Sequence, residues 1–149
     1  MQNLPYFLVH LADIAIVILG LFGFSLAYYI YHKKHKKQPL VCPLQSKCEL
    51  VTHSDYSKIF GIPVEILGML YYASAVTLHV VALVAPAVIN FGMVCVSLVL
   101  SATAFLFSLY LVSIQAFVIK QWCTWCLFSA GTCVFIFFFT YLSLPFGII

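Results

Sequence analysis

Four long apolar runs dominate the chain and limit what it can become. A helix that crosses a bilayer needs about 20 mostly apolar residues. Runs of that kind fall at about residues 11–31, 64–84, 91–119 and 125–144. The remaining polar stretches are too short to build a soluble domain. Only 7% of the 149 residues are charged, against roughly 25% in an ordinary soluble domain. The expected fold is therefore all-α: an integral membrane bundle of four transmembrane helices in a single domain over residues 1–149. The first run lacks a basic segment before it, and Ile14–Ile30 is long for the apolar core of a cleavable signal. It reads as a span.

The connections are unequal. Spans two and three are joined by a few residues around Pro86, and spans three and four by a tight turn through the polar Gln121. Between spans one and two runs a loop over residues 32–63, HKKHKKQPLVCPLQSKCELVTHSDYSKIFGIP. A long loop in a minimal protein is usually functional.

Parity then places chemistry. With four spans, the first and third connections lie on one side of the membrane. Cys42 and Cys48, in CPLQSKC, thus share a face with Cys123 and Cys126, in CTWC. Cys95 and Cys133 lie inside apolar runs, where a free cysteine behaves as a small hydrophobe. All seven lysines, at 33, 34, 36, 37, 47, 58 and 120, also fall on the cysteine face. The positive-inside rule assigns that face to the cytoplasm, whereas disulfide chemistry assigns it outside. We give priority to the chemistry and expect an extracytoplasmic site in a multi-pass plasma-membrane protein.

Three chemistries use such cysteines. Haem attachment needs a histidine after CxxC, and residue 127 is Leu. Zinc sites favour cysteine spacings of two to four, and CPLQSKC has five residues between its cysteines. No metal is expected. Thiol–disulfide relay passes a disulfide from pair to pair through a mixed disulfide. It suits one mobile loop pair and one pair fixed on the first turn of span four. Residues at i and i+3 share a helix face, with Cys126 about 4.5 Å further along the axis than Cys123. Cys123 is expected to face water and the loop, and Cys126 the bilayer. A helix N-terminus favours the reactive thiolate. A two-electron acceptor dissolved in the bilayer, such as a quinone, fits that geometry.

The order of these motifs resembles the vitamin K epoxide reductase family in its bacterial and archaeal branch. The resemblance covers nearly the whole chain: a loop cysteine pair, Ser54 six residues after Cys48, FGIP leading into span two, and CxxC opening span four. It implies a four-helix bundle around a quinone (menaquinone, ubiquinone or similar), taking electrons from a thioredoxin-fold, DsbA-like partner and supporting disulfide formation. By position, Cys42 and Cys48 resemble the pair that exchanges with the partner. Cys48 resembles the shuttle to Cys123, and Cys126 the donor to the quinone. Ser54 matches a hydroxyl residue near the active cysteines, although SDYS also fits the N-cap of a short helix running through Lys58. Many bacterial members carry a fused thioredoxin-like domain; in a chain of this length the partner is expected to be separate. Vertebrate members have a Tyr four residues after the second CxxC cysteine, where this chain has Ala130. Quinone rather than epoxide reduction is therefore implied. The partners expected are this protein, the quinone and membrane lipid, with no nucleic acid.

Inside the membrane, Glu65 opens span two and is expected to bond or protonate a quinone, or else to face water or pair with Lys58. Gln115 is placed to donate to the quinone or to another helix. Trp122 and Trp125 fit an interfacial belt, and Trp125 is also placed to wall the quinone pocket. His10, Asp13 and His79 read as interfacial groups far from the cysteines, and Ser97, Ser101 and Ser108 as helix contacts. Two rival readings remain: a DsbB-type quinone-linked oxidase, in which the CxxC pair precedes the other pair, and a non-enzymatic membrane protein with a structural loop disulfide.

Overall fold

A computed structural model describes residues 3–43 and 47–147. The two termini, and residues 44–46 between the loop cysteines, lie outside the described residues. Helix α1 spans Asn3–His35, α2 Cys48–Thr52, α3 Val64–Val84, α4 Phe91–Ser113 and α5 Thr124–Gly147. Four helical segments are long and apolar enough to cross a membrane: Leu4–His35, Val64–Val84, Phe91–Ile119 and Thr124–Ser143. The molecule is thus an all-α bundle of four membrane helices. The first is longer than its sequence expectation of 11–31. Leu4, Tyr6, Phe7 and Leu8 extend the apolar run, and Pro5 sits in the first turn, where its missing N–H costs nothing.

Close approach of α1 to α3 depends on two glycines. A Cβ on Gly23 would collide with the ring of Tyr72, and one on Gly20 with Val76. Tyr72 is fully buried in a core with Ile16, Cys133 and Ile136. Its hydroxyl meets the Ser129 carbonyl at 2.9 Å, the Ser129 hydroxyl at 2.8 Å and Cys133 Sγ at 3.3 Å. A phenol in an apolar core needs such partners, and here they tie α3 to α5.

The connection from α3 to α4 turns through Pro86–Val88, and Asn90 caps α4 by accepting the Met93 N–H at 3.0 Å. The last turns of the third span, Ile114–Ile119, widen to π-helix and stop at Lys120 in the left-handed conformation (φ 57°). A π segment is rare and often marks a functional site. In the long loop, Lys58–Ile59 (β1) pairs antiparallel with Ile62–Pro63 (β2) around Phe60–Gly61. The helix expected to run from Ser54 through Lys58 is instead a single tight turn, Asp55–Ser57, followed by this hairpin. Gly61 at φ 81° supplies the reversal that ends it.

Asp13 and His79 differ from the interfacial sites expected of them. Both are buried and hydrogen-bonded to each other at 2.8 Å. A polar side chain inside an apolar bundle is stabilised by a partner rather than by reaching water.

Candidate functional site

The four loop and helix-start cysteines converge at one end of the bundle. Cys48, Val51 and Cys123 form a buried cluster, with Leu40, Cys42, Ile119, Trp125 and Cys126 packed against it. Parity thus gives the correct juxtaposition. Cys42 and Cys48 are joined as a disulfide, while Cys123 and Cys126 are thiols.

The loop is clasped onto the start of α5. Trp125 Nε1 donates to the Val41 carbonyl at 2.9 Å and Thr124 Oγ1 to the Pro43 carbonyl at 3.1 Å. Glu49 accepts the Leu40 N–H at 3.2 Å. Trp125 also packs against Tyr29, at 5.3 Å between ring centroids. It does not line the large cavity described below, so its indole holds the loop rather than walling that cavity.

Cys123 occupies the N-cap position of α5. Its carbonyl accepts the Leu127 N–H at 3.0 Å, and its sulfur accepts the Cys126 N–H at 3.3 Å. This is the N-cap pattern with sulfur in place of oxygen. The Cys126 thiol, and then the backbone N–H groups of Cys126 and Trp125, donate to that sulfur. They hold the Cys123 thiol below its ordinary range, against the opposing effects of burial and of Glu65. The N-terminal end of a long helix acts in the same direction. The N–H of Cys123 itself donates to Gln115 Oε1 at 3.1 Å. Gln115 belongs to the π segment, so the widened turn holds the CxxC backbone from the side.

Cys126 faces the other way. It lines a cavity of about 530 Å³ between α3, α4 and α5, whose walls are mostly apolar: Leu67, Leu100, Ala104, Phe107 and Leu111 among them. Ser54, Glu65 and Gln115 also line it. Ser54 donates its hydroxyl to the Val51 carbonyl at 2.7 Å, closing the turn after α2. Cys123 is fully buried against Cys48 of the loop, not facing water as expected, while Cys126 packs against the same cluster and also lines the cavity.

Glu65 is buried, and its ionic partner is Lys34 rather than Lys58. Lys34 Nζ lies 3.3 Å from Glu65 Oε1 and 3.1 Å from Ser57 Oγ. The other carboxylate oxygen, Oε2, is buried with no hydrogen-bond partner among the described residues, and so is the hydroxyl of Tyr71. Both residues line the cavity. Native interiors rarely leave such groups unsatisfied, and each one asks for a ligand or a water. Tyr71 follows Glu65 by six residues, about 9 Å further along α3. Sequence reasoning passed over both Lys34 and Tyr71. One lysine among four between residues 33 and 37 and one tyrosine in an apolar run carry no distinguishing signal. No group of three or more metal-ligating side chains gathers anywhere among the described residues.

The family model for the vitamin K epoxide reductase family matches residues 14–141, most of the chain and all four spans in whole or part. The chain belongs to the vitamin K epoxide reductase family. No curated protein matches it in sequence. Membership makes this member a multi-pass membrane oxidoreductase, from a family whose members generally use quinones.

Proposed function

We propose that this member of the family oxidises a thioredoxin-fold dithiol protein and reduces a quinone. One observation carries the reading: Cys48 and Cys123 are buried together, while Cys126 lines an apolar cavity whose wall includes two residues, Glu65 and Tyr71, that each bury a polar atom without a partner among the described residues. In the cycle, a partner dithiol reduces the Cys42–Cys48 disulfide and leaves as a disulfide. Cys48 then attacks Cys123 of a Cys123–Cys126 disulfide, releasing the Cys126 thiolate. Cys42 attacks Cys48, restoring the loop disulfide and freeing Cys123. The cysteines are now as the structure holds them, with the loop pair oxidised and the CxxC pair reduced. Two electrons and two protons leave the CxxC pair for the quinone, giving quinol and a new Cys123–Cys126 disulfide. Atoms and electrons balance as dithiol plus quinone to disulfide plus quinol.

The cavity suits a quinone ring. Its volume falls in the usual range for small-molecule sites, roughly 300–1,000 Å³. A quinone offers two carbonyl acceptors; the Tyr71 hydroxyl can donate to one. Glu65 Oε2 serves the other through a proton, or receives the quinol hydroxyl that replaces it. Ala130 lines the same cavity with only a methyl group, and Tyr71 brings a phenol from the α3 wall instead. Ser54 and Gln115 act as positioning residues, for the turn after α2 and for the Cys123 backbone.

The test uses the purified chain, a reduced thioredoxin-fold dithiol protein and a short-chain quinone, followed by quinone absorbance. Tyr71→Phe and Glu65→Gln should each raise the quinone KM roughly two- to tenfold, the worth of one hydrogen bond. Absence of quinone reduction by the wild-type chain would overturn the reading. The site is placed on the extracytoplasmic face because the proposed partner works where disulfides persist. A membrane-impermeant thiol reagent should label Cys42 in reduced, intact cells; labelling only after lysis would invert the orientation.

A further inference from the structure

The motif CTWC places a hydroxyl and an indole between its two cysteines. Each brings a donor that needs an acceptor once it leaves water. Both find one on the loop, on either side of Cys42. Thr124 Oγ1 donates to the Pro43 carbonyl at 3.1 Å, and Trp125 Nε1 donates to the Val41 carbonyl at 2.9 Å. One such bond would fasten the loop. Two, one residue before and one residue after Cys42, fix the backbone of Cys42 itself.

The same turn also holds the thiol with which the loop exchanges. The backbone N–H of Trp125 donates to the Cys123 sulfur, while its indole N–H holds residue 41. Tyr29 of α1 packs on the indole, at 5.3 Å between ring centroids, and limits its rotation. Loop backbone and CxxC sulfur are thus tied to one short piece of α5.

This tie bears on a choice that disulfide exchange leaves open. A thiolate can attack either sulfur of a disulfide, and access decides between them. The two loop cysteines differ in access. Cys48 is 1% exposed and belongs to the buried cluster with Cys123, itself 0% exposed. Cys42 is half-buried and packs against that cluster, beside Val41, which is 71% exposed. Exchange through Cys42 would require that residue to leave the surface and enter the cluster, and both clasping bonds oppose the movement.

We propose that Thr124 and Trp125 are positioning residues that set the register of the relay: by pinning residues 41 and 43 to the first turn of α5, they hold Cys42 at the surface and leave Cys48 as the loop sulfur that exchanges with Cys123. This role rests on the thiol relay proposed above. The exchange balances within the chain. The Cys123 thiolate bonds to the Cys48 sulfur, the Cys42–Cys48 bond breaks, and Cys42 leaves with the electron pair and takes a proton. The reverse step restores the loop disulfide, and no outside oxidant or reductant takes part.

The experiment is non-reducing peptide mapping of the purified full chain carrying Cys126→Ala, after mild oxidation. It reads the ratio of the Cys48–Cys123 crosslink to the Cys42–Cys123 crosslink. With the clasp intact the first should dominate. Thr124→Val removes the hydroxyl at nearly constant shape, and Trp125→Phe removes the indole N–H but keeps an aromatic ring. Each should lower the ratio roughly two- to tenfold, the worth of one hydrogen bond, and the two together should lower it further. Thr124→Ser, which keeps a hydroxyl, should hold the ratio near that of its parent. Both crosslinks are read in one sample, so a poorer yield of folded protein does not move the result. Glu49→Ala is the control. It removes the acceptor of the Leu40 N–H, a bond within the loop, and leaves both bonds to α5 in place, so the ratio should stay. A ratio unchanged in the double variant, or one that falls equally in Glu49→Ala, would overturn the register role and leave the relay standing. No crosslink between the two pairs in the Cys126→Ala chain would overturn the relay and this role with it.

Discussion

Replacing Cys126 by alanine is expected to stop quinone reduction and to trap a Cys48–Cys123 disulfide. The geometry gives both halves of that result. Cys126 is the CxxC sulfur on the apolar cavity, so its loss removes the thiol through which electrons leave. Cys123 sits in one buried cluster with Cys48, and its thiol is held below the ordinary range by donors around the sulfur. In the variant the strongest of these, the Cys126 thiol, is gone, but the backbone N–H groups of residues 125 and 126 and the helix end remain. The Cys123 thiolate then attacks Cys48 of the loop disulfide, Cys42 leaves as a thiol, and no Cys126 is present to release the mixed disulfide. Turnover should fall to the uncatalysed background. Peptide mapping under non-reducing conditions should show the 48–123 crosslink and free Cys42. An intact Cys42–Cys48 bond with free Cys123, after mild oxidation, would mean that the loop disulfide is structural and that the cysteine pairs do not exchange.

The spans were legible in the sequence because a membrane leaves little choice. Backbone groups must be satisfied within each segment, so an apolar run of sufficient length becomes a helix. Val64–Val84 and Phe91–Ile119 lie where the apolar runs put them. The convergence of the four cysteines was also legible, since parity needs only a count of spans. Which side chains meet within an end of the bundle was not. Glu65 pairs with Lys34, 31 residues away, and not with Lys58, seven residues away, which is exposed in the hairpin. That outcome depends on the rotation of α1 about its own axis against α3, and this is set by packing such as Tyr72 against Gly23. Asp13, His79 and Ser97, which meet across α1, α3 and α4, show the same limit. Their approximate depth can be counted along each run, but their meeting depends on helix rotations that no single run encodes. Trp125 was placed by its position between two cysteines. Its indole N–H requires an acceptor, and the Val41 carbonyl on the loop supplies it.

Removing the positive partner of Glu65 should be the most damaging change to stability. Lys34→Met leaves a buried carboxyl group without its cation and Ser57 without its donor. Breaking one side of a buried ion pair costs roughly 3–5 kcal/mol. Lys34 keeps 15% side-chain exposure against 8% for Glu65, and partial screening puts the expected loss near the lower figure, about 3 kcal/mol. Thermal unfolding in detergent should show it as a clear drop in Tm. Glu65→Gln should cost less, because the charge it leaves unpaired is on Lys34, the more exposed partner, and the amide oxygen can still accept from that ammonium. The double variant should recover most of the loss, since groups in direct contact couple by about 0.5–3 kcal/mol. Simple addition of the two single losses would show that the pair is not energetically linked. A functional consequence separates positioning from plain destabilisation. Lys34 holds one carboxylate oxygen while the other, Oε2, is buried without a partner among the described residues, on a side chain that lines the cavity. Lys34→Met should therefore raise the quinone KM even at temperatures where the variant is fully folded, and Lys34→Arg, which keeps a cation beside Oε1, should return it toward the wild-type value. A KM unchanged in the folded methionine variant would reduce Lys34 to a structural residue and leave Glu65 to orient itself.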